Sequence, residues 1–186
     1  MPSPIAHIAA GVAIYRLRPR RGASHDHRLR LLGACIGLSL LPDLDAAVGI
    51  ALGNLGRYHN NLAGSPAFGA LVALAVAGGV SLVRRGWARP ALTLTFVCYE
   101  VHVLMDFLTF GRGVMLLWPL STERFAPPFH LFFGLRWSHG LASTLHVVTI
   151  VTELLFAVAL FISLRWLLQR RDSRSENASN GDKAGR

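Results

Sequence analysis

Charged residues are scarce in this chain, and acidic residues are the scarcest of them. Of its 186 residues 16% are charged, with 10 Asp or Glu against 19 Lys or Arg. Soluble domains carry about 25% charged residues. With 52% hydrophobic residues and a mean hydropathy of +0.42, the composition excludes an ordinary soluble domain and indicates membrane-spanning segments.

Cysteine is also rare, since the chain has only Cys35 and Cys98, each in its own apolar run. Two isolated cysteines give neither a disulfide framework nor a CxxC metal motif. The first seven residues, Met-Pro-Ser-Pro-Ile-Ala-His, lack the basic start of a secretory signal. We therefore expect the first helix to remain in the mature protein.

The formal charge of +9 comes almost wholly from arginine, and the arginines cluster in short connections between apolar runs. This pattern fits membrane topology better than nucleic-acid binding. The basic segments 16–30 and 84–89 and the C-terminal tail are expected in the cytoplasm. The segments 53–65 and 111–140 carry few positive residues and are expected to face outward.

The hydropathy pattern predicts an all-α, multi-pass helical membrane bundle. A full crossing needs about 20 residues, so the apolar run Ile5 to Tyr15 forms a partial span or a buried helix. About four full spans follow, within 31–52, 66–83, 91–110 and 143–168. The prediction is one membrane-embedded domain over 1–168 and a disordered polar tail over 169–186.

Ionisable residues lie within or beside these apolar segments, although each costs about 2.5–3.5 kcal/mol to insert. Under the predicted topology all of them except Glu100, which is expected to be structural or a partner of a ligand, fall toward the outer side of the membrane. Carboxylates and imidazoles together are common ligands of divalent metals. The set comprises Asp43, Asp45, His59, Glu100, His102, Asp106, His146 and Glu153.

The clearest pair is His102 and Asp106, four positions apart in the fourth apolar segment. Residues at this spacing lie on one face of a helix, so both side chains can reach the same ion. The alternative is a histidine–aspartate hydrogen bond that locks two helices together.

Pro42-Asp43-Leu44-Asp45 interrupts the second apolar segment. On a continuous helix the two aspartates would point about 200° apart, whereas alternate residues of an extended segment share a face. Because proline breaks the helix, both carboxylates could then reach one site, even as a bridge between two metals. The alternative for Asp43 is a helix cap.

Two further features are weaker. His7 lies between Ala6 and Ile8, where it is either a ligand or a hydrogen-bonded core residue. His146 and Glu153 are seven positions apart, which is two turns on the same helix face.

In this order the motifs resemble a bacterial family of membrane-bound metal-dependent hydrolases, the LexA-associated inner-membrane group. The resemblance covers nearly the whole chain up to the tail. The matching pieces are Met-Pro-Ser-Pro-Ile-Ala-His at 1–7, Leu-Pro-Asp-Leu-Asp at 41–45, Tyr-His at 58–59, His-Val-Leu-Met-Asp at 102–106 and Leu-Leu-Trp-Pro-Leu-Ser at 116–121.

The resemblance implies a helical core distantly similar to zinc-dependent phospholipase C, located in the bacterial inner membrane. It implies that the metal ligands are His7, Asp43, His59, His102 and Asp106, and that Asp45 is a further ligand or a partner of one. One departure stands out, because Gly64 occupies the position where the family has a second histidine. The C-terminal His-x-x-x-Glu of the phospholipase is also absent, and Glu153 is the nearest candidate.

These observations lead to the hypothesis of a membrane-bound hydrolase. A divalent ion, best fitted by zinc, would activate a water for attack on the phosphoester of a lipid or lipid-linked substrate. Asp43 or Asp45 would act as the general base. The alternatives are a non-catalytic metal-binding or ion-translocating membrane protein, and a bundle in which the polar residues only hold helices together.

Overall fold

The computed structural model describes residues 2–18, 24–53, 59, 61–135 and 144–184. Over these ranges the chain forms α1 (Pro4–Leu17), α2 (His25–Leu40), α3 (Leu44–Ala51), α4 (Pro66–Val83), α5 (Ala88–Phe107) and α6 (Leu145–Ala184). The described residues contain no β-strand, only two isolated β-bridges in the connection between α5 and α6. The predicted all-α class is therefore confirmed.

Serine side chains define where three of the helices begin. The hydroxyls of Ser3, Ser24 and Ser65 accept hydrogen bonds from backbone N–H groups in the first turns of α1, α2 and α4. Pro4 and Pro66 follow two of these caps directly, at the position where the missing N–H of proline costs no hydrogen bond. The sequence thus sets these helix starts locally.

Three helical segments, over 25–51, 66–83 and 146–171, are long and apolar enough to cross a membrane. The fourth, α5, has 20 residues but is less apolar because it carries Glu100, His102 and Asp106. The 14-residue α1 is shorter than a full crossing requires. The expected set of about four apolar helices with a short N-terminal helix is therefore present.

Two boundaries differ from those that the sequence predicts. The α2 helix begins at His25, inside the predicted 16–30 loop, because Ser24 caps it and Asp26 lies favourably in its first turn. The α6 helix continues past Leu168 to Ala184, where a disordered tail was expected. Helix propagation from an established span needs no new nucleus, and no proline interrupts 169–186. The domain boundary at Leu168 itself stays a prediction.

The short α1 helix packs against α2, α5 and α6. Its buried residues are mostly small, namely Ala6, Ala9, Ala10, Gly11 and Ala13, which permits close helix packing. At Gly11 a Cβ atom would lie 2.8 Å from the carbonyl oxygen of Cys35 on α2. Only glycine therefore allows this approach of α1 to α2.

The polar ends of the helices meet at one end of the bundle. His7 near the start of α1 lies beside Asp106 at the end of α5, and His102 lies beside Asp43 just after α2. The opposite ends of these helices carry the arginine-rich segments 16–18, 28–30 and 84–89. The fold therefore places the candidate ligands at one end of the bundle and these arginines at the other.

Candidate metal centre

His102 lies at the middle of the candidate site. Its Nδ1 donates a hydrogen bond to the carbonyl oxygen of Ser39, 2.7 Å away. A carbonyl only accepts, so Nδ1 carries the proton, and in its neutral form the ring presents a lone pair at Nε2. This Nε2 lies 3.5 Å from Asp106 Oδ2 and 3.6 Å from Asp43 Oδ1. The Ser39 carbonyl thus orients the imidazole as metal sites require.

His7 lies against His102, with the two rings stacked at a centroid distance of 3.7 Å and an angle of 14°. Its Nε2 is 3.7 Å from Asp106 Oδ1, and the residue is fully buried. Ligand atoms of His7, Asp43 and His102 all lie within 4.8 Å of one another. The predicted ligands His7, Asp43, His102 and Asp106 therefore lie together.

Several polar atoms of this cluster are buried and make no hydrogen bond to the described residues. They are His7 Nδ1 and Nε2, both oxygens of Asp43, and Asp106 Oδ1. Each such atom costs about 1–3 kcal/mol, and two neighbouring carboxylates also repel each other. A cation between them would remove both costs, and an unsatisfied cluster of this kind calls for an explanation such as an ion.

The spacing of the atoms also distinguishes a metal centre from a hydrogen-bond network. The imidazole–carboxylate separations of 3.5–3.7 Å are too long for good hydrogen bonds. Zinc bonds of about 2.0–2.1 Å place tetrahedral ligand atoms about 3.3–3.4 Å apart. The observed distances lie close to that value, so the geometry favours ligation over the alternative of a helix-locking hydrogen bond.

His59 and Asp45 form a second pair, which is not part of the group formed by His7, Asp43 and His102. His59 Nδ1 lies 2.7 Å from Asp45 Oδ1, and the ring is largely buried. Its Nε2 is buried and makes no hydrogen bond to the described residues. Asp45 therefore orients His59 and leaves Nε2 available for a metal. Tyr58, which precedes His59 in the predicted motif, lies outside the described residues.

After the break at Pro42, the two aspartates contact different histidines. Residues Leu41–Asp43 form a 3₁₀ turn rather than the extended segment that the sequence allowed. Asp43 faces His102, whereas Asp45 faces His59. Asp43 is also the residue preceding α3, but its side chain makes no capping hydrogen bond. The cap alternative therefore has no support in the geometry.

The weaker candidates on α6 are placed differently. Glu153 is fully buried and accepts hydrogen bonds from the Ser3 backbone N–H, at 2.6 Å, and from the Ser3 hydroxyl. Its two oxygens therefore hold the start of α1, and with it His7, instead of facing a metal. His146 is half-buried near the start of α6 and is not part of the group formed by His7, Asp43 and His102.

Sequence reasoning did not single out the Ser39 carbonyl, Arg112 or Arg124. A backbone acceptor has no sequence signature. The arginines of the 111–140 connection, Arg112, Arg124 and Arg136, are however a recognisable exception in a segment predicted to be poor in positive charge. Gly64 lies buried in a 3₁₀ turn over Leu62–Gly64. The side chain expected at this position in the resembled family is thus absent.

Comparisons with known proteins agree with the membrane assignment. Residues 1–174 match the family model described as YdjM inner membrane protein. The chain is 36% identical over 142 residues to inner membrane protein YbcI of Escherichia coli (strain K12), covering 70% of this chain and 75% of that protein. No solved structure matches, so the likeness to phospholipase C stays a prediction. Because the family model matches nearly the whole chain, the chain belongs to the YdjM inner membrane protein family.

Proposed function

We propose that this protein is a metal-dependent hydrolase of the inner membrane that acts on a phosphoester of a lipid or lipid-linked substrate. The observation that carries the proposal is the cluster of buried, unsatisfied imidazole and carboxylate atoms at separations of 3.5–3.7 Å. Such a cluster is costly without a cation and well suited to one.

Zinc fits the donor set best, because imidazole nitrogen and carboxylate oxygen together are typical zinc ligands. His7, Asp43, His102 and Asp106 would hold the ion, and His59 would complete the set through Nε2. The softer donors Cys35 and Cys98 pack with Leu94 in a separate apolar cluster. They therefore take no part in this centre.

A bound zinc ion would lower the pKa of a bound water to about 7. The roles of the chain's own residues follow from their contacts. Asp45 is engaged by His59 and acts as a positioning residue. Asp43, whose oxygens take no hydrogen bond from the described residues, would hold the ion through one oxygen and act as general base through the other. His102 is held in the ligating tautomer by the carbonyl of Ser39.

A lipid-linked substrate is favoured by the surroundings of the site. Leu44, between Asp43 and Asp45, is 59% exposed, and Leu104, between His102 and Asp106, is 53% exposed. These residues would face lipid in a membrane-spanning bundle. An acyl-linked substrate could therefore approach the polar cluster sideways from the bilayer.

The test is turnover by the purified protein in detergent, with phospholipids and a chromogenic phosphodiester as substrates. We expect hydrolysis that is abolished by a chelator, restored by zinc, and lost in Asp43→Asn. The matched control is Asp26→Asn, which removes an exposed carboxylate at the other end of α2. Stoichiometric zinc without turnover, together with ion flux in liposomes, would contradict hydrolysis and favour the ion-translocating alternative.

A further inference from the structure

Two arginines of the connection between α5 and α6 lie against the segment that carries His59. Arg112 Nη2 donates a hydrogen bond to the carbonyl oxygen of His59. Arg124 Nη2 donates to Asn61 Oδ1, at 2.5 Å, and its Nη1 donates to the carbonyl oxygen of Gly113, at 3.1 Å. Arg112 therefore contacts the predicted metal ligand His59, and Arg124 contacts Asn61, two positions further along the chain.

The local backbone holds these arginines near each other. Val114 and Phe125 exchange two backbone hydrogen bonds, of 3.0 and 2.9 Å. Gly113 has a φ of +75°, and a Cβ there would lie 2.4 Å from the carbonyl oxygen of Phe125. Glycine is thus required at the point where the segment after Arg112 meets the segment after Arg124.

The arrangement concentrates positive charge. Burial, and then the nearby charge of Arg112, lower the pKa of the Arg124 guanidinium. Arg112 and Arg124 are two of the three arginines of this connection, and the third, Arg136, lies outside the described residues. Guanidinium groups form strong, charge-assisted hydrogen bonds with phosphate anions.

We propose that Arg112 and Arg124 bind the phosphate group of the substrate beside the metal centre. This inference rests on the function proposed above and specifies a phosphate-containing substrate for it. A guanidinium presents five donors in a planar fork, so it can hold a loop acceptor and a phosphate oxygen at the same time. The phosphate group belongs either to a lipid headgroup or to a soluble phosphate compound.

The test is binding of inorganic phosphate to the zinc-loaded, full-length protein, measured by calorimetry together with zinc content. We expect Arg112→Gln and Arg124→Gln each to weaken phosphate binding about tenfold or more while zinc stays at the wild-type level. Glutamine keeps an N–H donor for the loop acceptors. Arg112→Lys should recover part of the affinity. Arg85→Gln, at the opposite end of the bundle, is the control and should bind phosphate normally.

The outcomes separate this inference from the proposed function. The inference would be overturned if the wild-type protein bound no phosphate or if both Gln variants bound it unchanged. It would also be overturned if the Gln variants lost zinc together with phosphate, because the arginines would then only support the loop. Arginine-dependent phosphate binding by a wild-type protein that takes up no zinc would support the inference and contradict the metal centre. Repetition in a phosphate-free detergent, with and without added phosphatidylglycerol, identifies the source. Competition by phosphatidylglycerol would indicate a headgroup, and unchanged binding would indicate a soluble phosphate.

Discussion

At the residue scale, helical spacing predicted His102 and Asp106 to share a site, and the structure brings them together with His7 and Asp43. Spacing alone could not assign partners to Asp43 and Asp45, because two aspartates two positions apart can each reach a different imidazole. From the spacing, the only partner that we could suggest for Glu153 was a metal. The Ser3 hydroxyl and backbone that occupy its carboxylate lie 150 positions away in sequence.

The pair formed by Asp45 and His59 gives the first prediction. In Asp45→Asn the neutral amide holds the Nδ1–H of His59 less well, so the ring is less firmly oriented. We expect zinc affinity to fall about 10–100-fold, measured by competition with a chromogenic chelator, while zinc still binds at saturation. Asp26→Asn serves as control, and an unchanged affinity in Asp45→Asn would show that His59 is no ligand.

At the element scale, the sequence predicted the α4 helix over the observed Pro66–Val83, because Ser65, Pro66 and the following apolar run define it locally. The break in the second apolar segment was also expected from Pro42, but its 3₁₀ form was not. Proline excludes a regular helix without choosing between a tight turn and an extended segment. In the observed turn Asp43 lies beside His102 of α5.

Close packing of α1 gives a prediction at this scale. In Gly11→Ala the new Cβ would lie 2.8 Å from a backbone oxygen of α2, which cannot move alone. We expect a loss of roughly 1–3 kcal/mol in stability and a lower zinc affinity, because α1 carries His7. Both are measurable by thermal unfolding and metal titration in detergent.

The matched control is Gly37→Ala on α2, where the added Cβ meets no atom within 4 Å. Because alanine favours helix more than glycine does, its melting temperature should stay the same or rise. Equal effects of the two substitutions would contradict the close approach of α1 to α2.

At the scale of the whole molecule, the sequence predicted that the polar residues and the arginine-rich segments belong to opposite sides. The structure places them at opposite ends of one bundle. The contacts of His7 with Asp106 and of His102 with Asp43 bring the polar residues together, and the hydropathy pattern could not predict these contacts. The inner-membrane assignment agrees with the family. The central position of α1 could not be predicted from the sequence, because a helix of 14 residues can be either a buried helix or a partial span.

This arrangement predicts the topology. Glu123→Cys should react with a membrane-impermeant maleimide added to intact spheroplasts, because the connection after α5 is expected to face outward. Arg85→Cys should react only after permeabilisation, because its segment is cytoplasmic. Both positions are exposed, and the native Cys35 and Cys98 are buried, so background labelling should be low. The reverse pattern would place the site on the cytoplasmic side.

The most direct test of the metal centre is zinc X-ray absorption spectroscopy on the purified protein in detergent. We predict stoichiometric zinc with nitrogen and oxygen ligands at about 2.0–2.2 Å, no sulfur at about 2.3 Å, and a clear imidazole contribution. That imidazole contribution should decrease in His102→Ala, along with the zinc content. A folded protein that binds no metal, or a spectrum dominated by sulfur, would contradict the assignment of His7, Asp43, His102 and Asp106 as a metal centre.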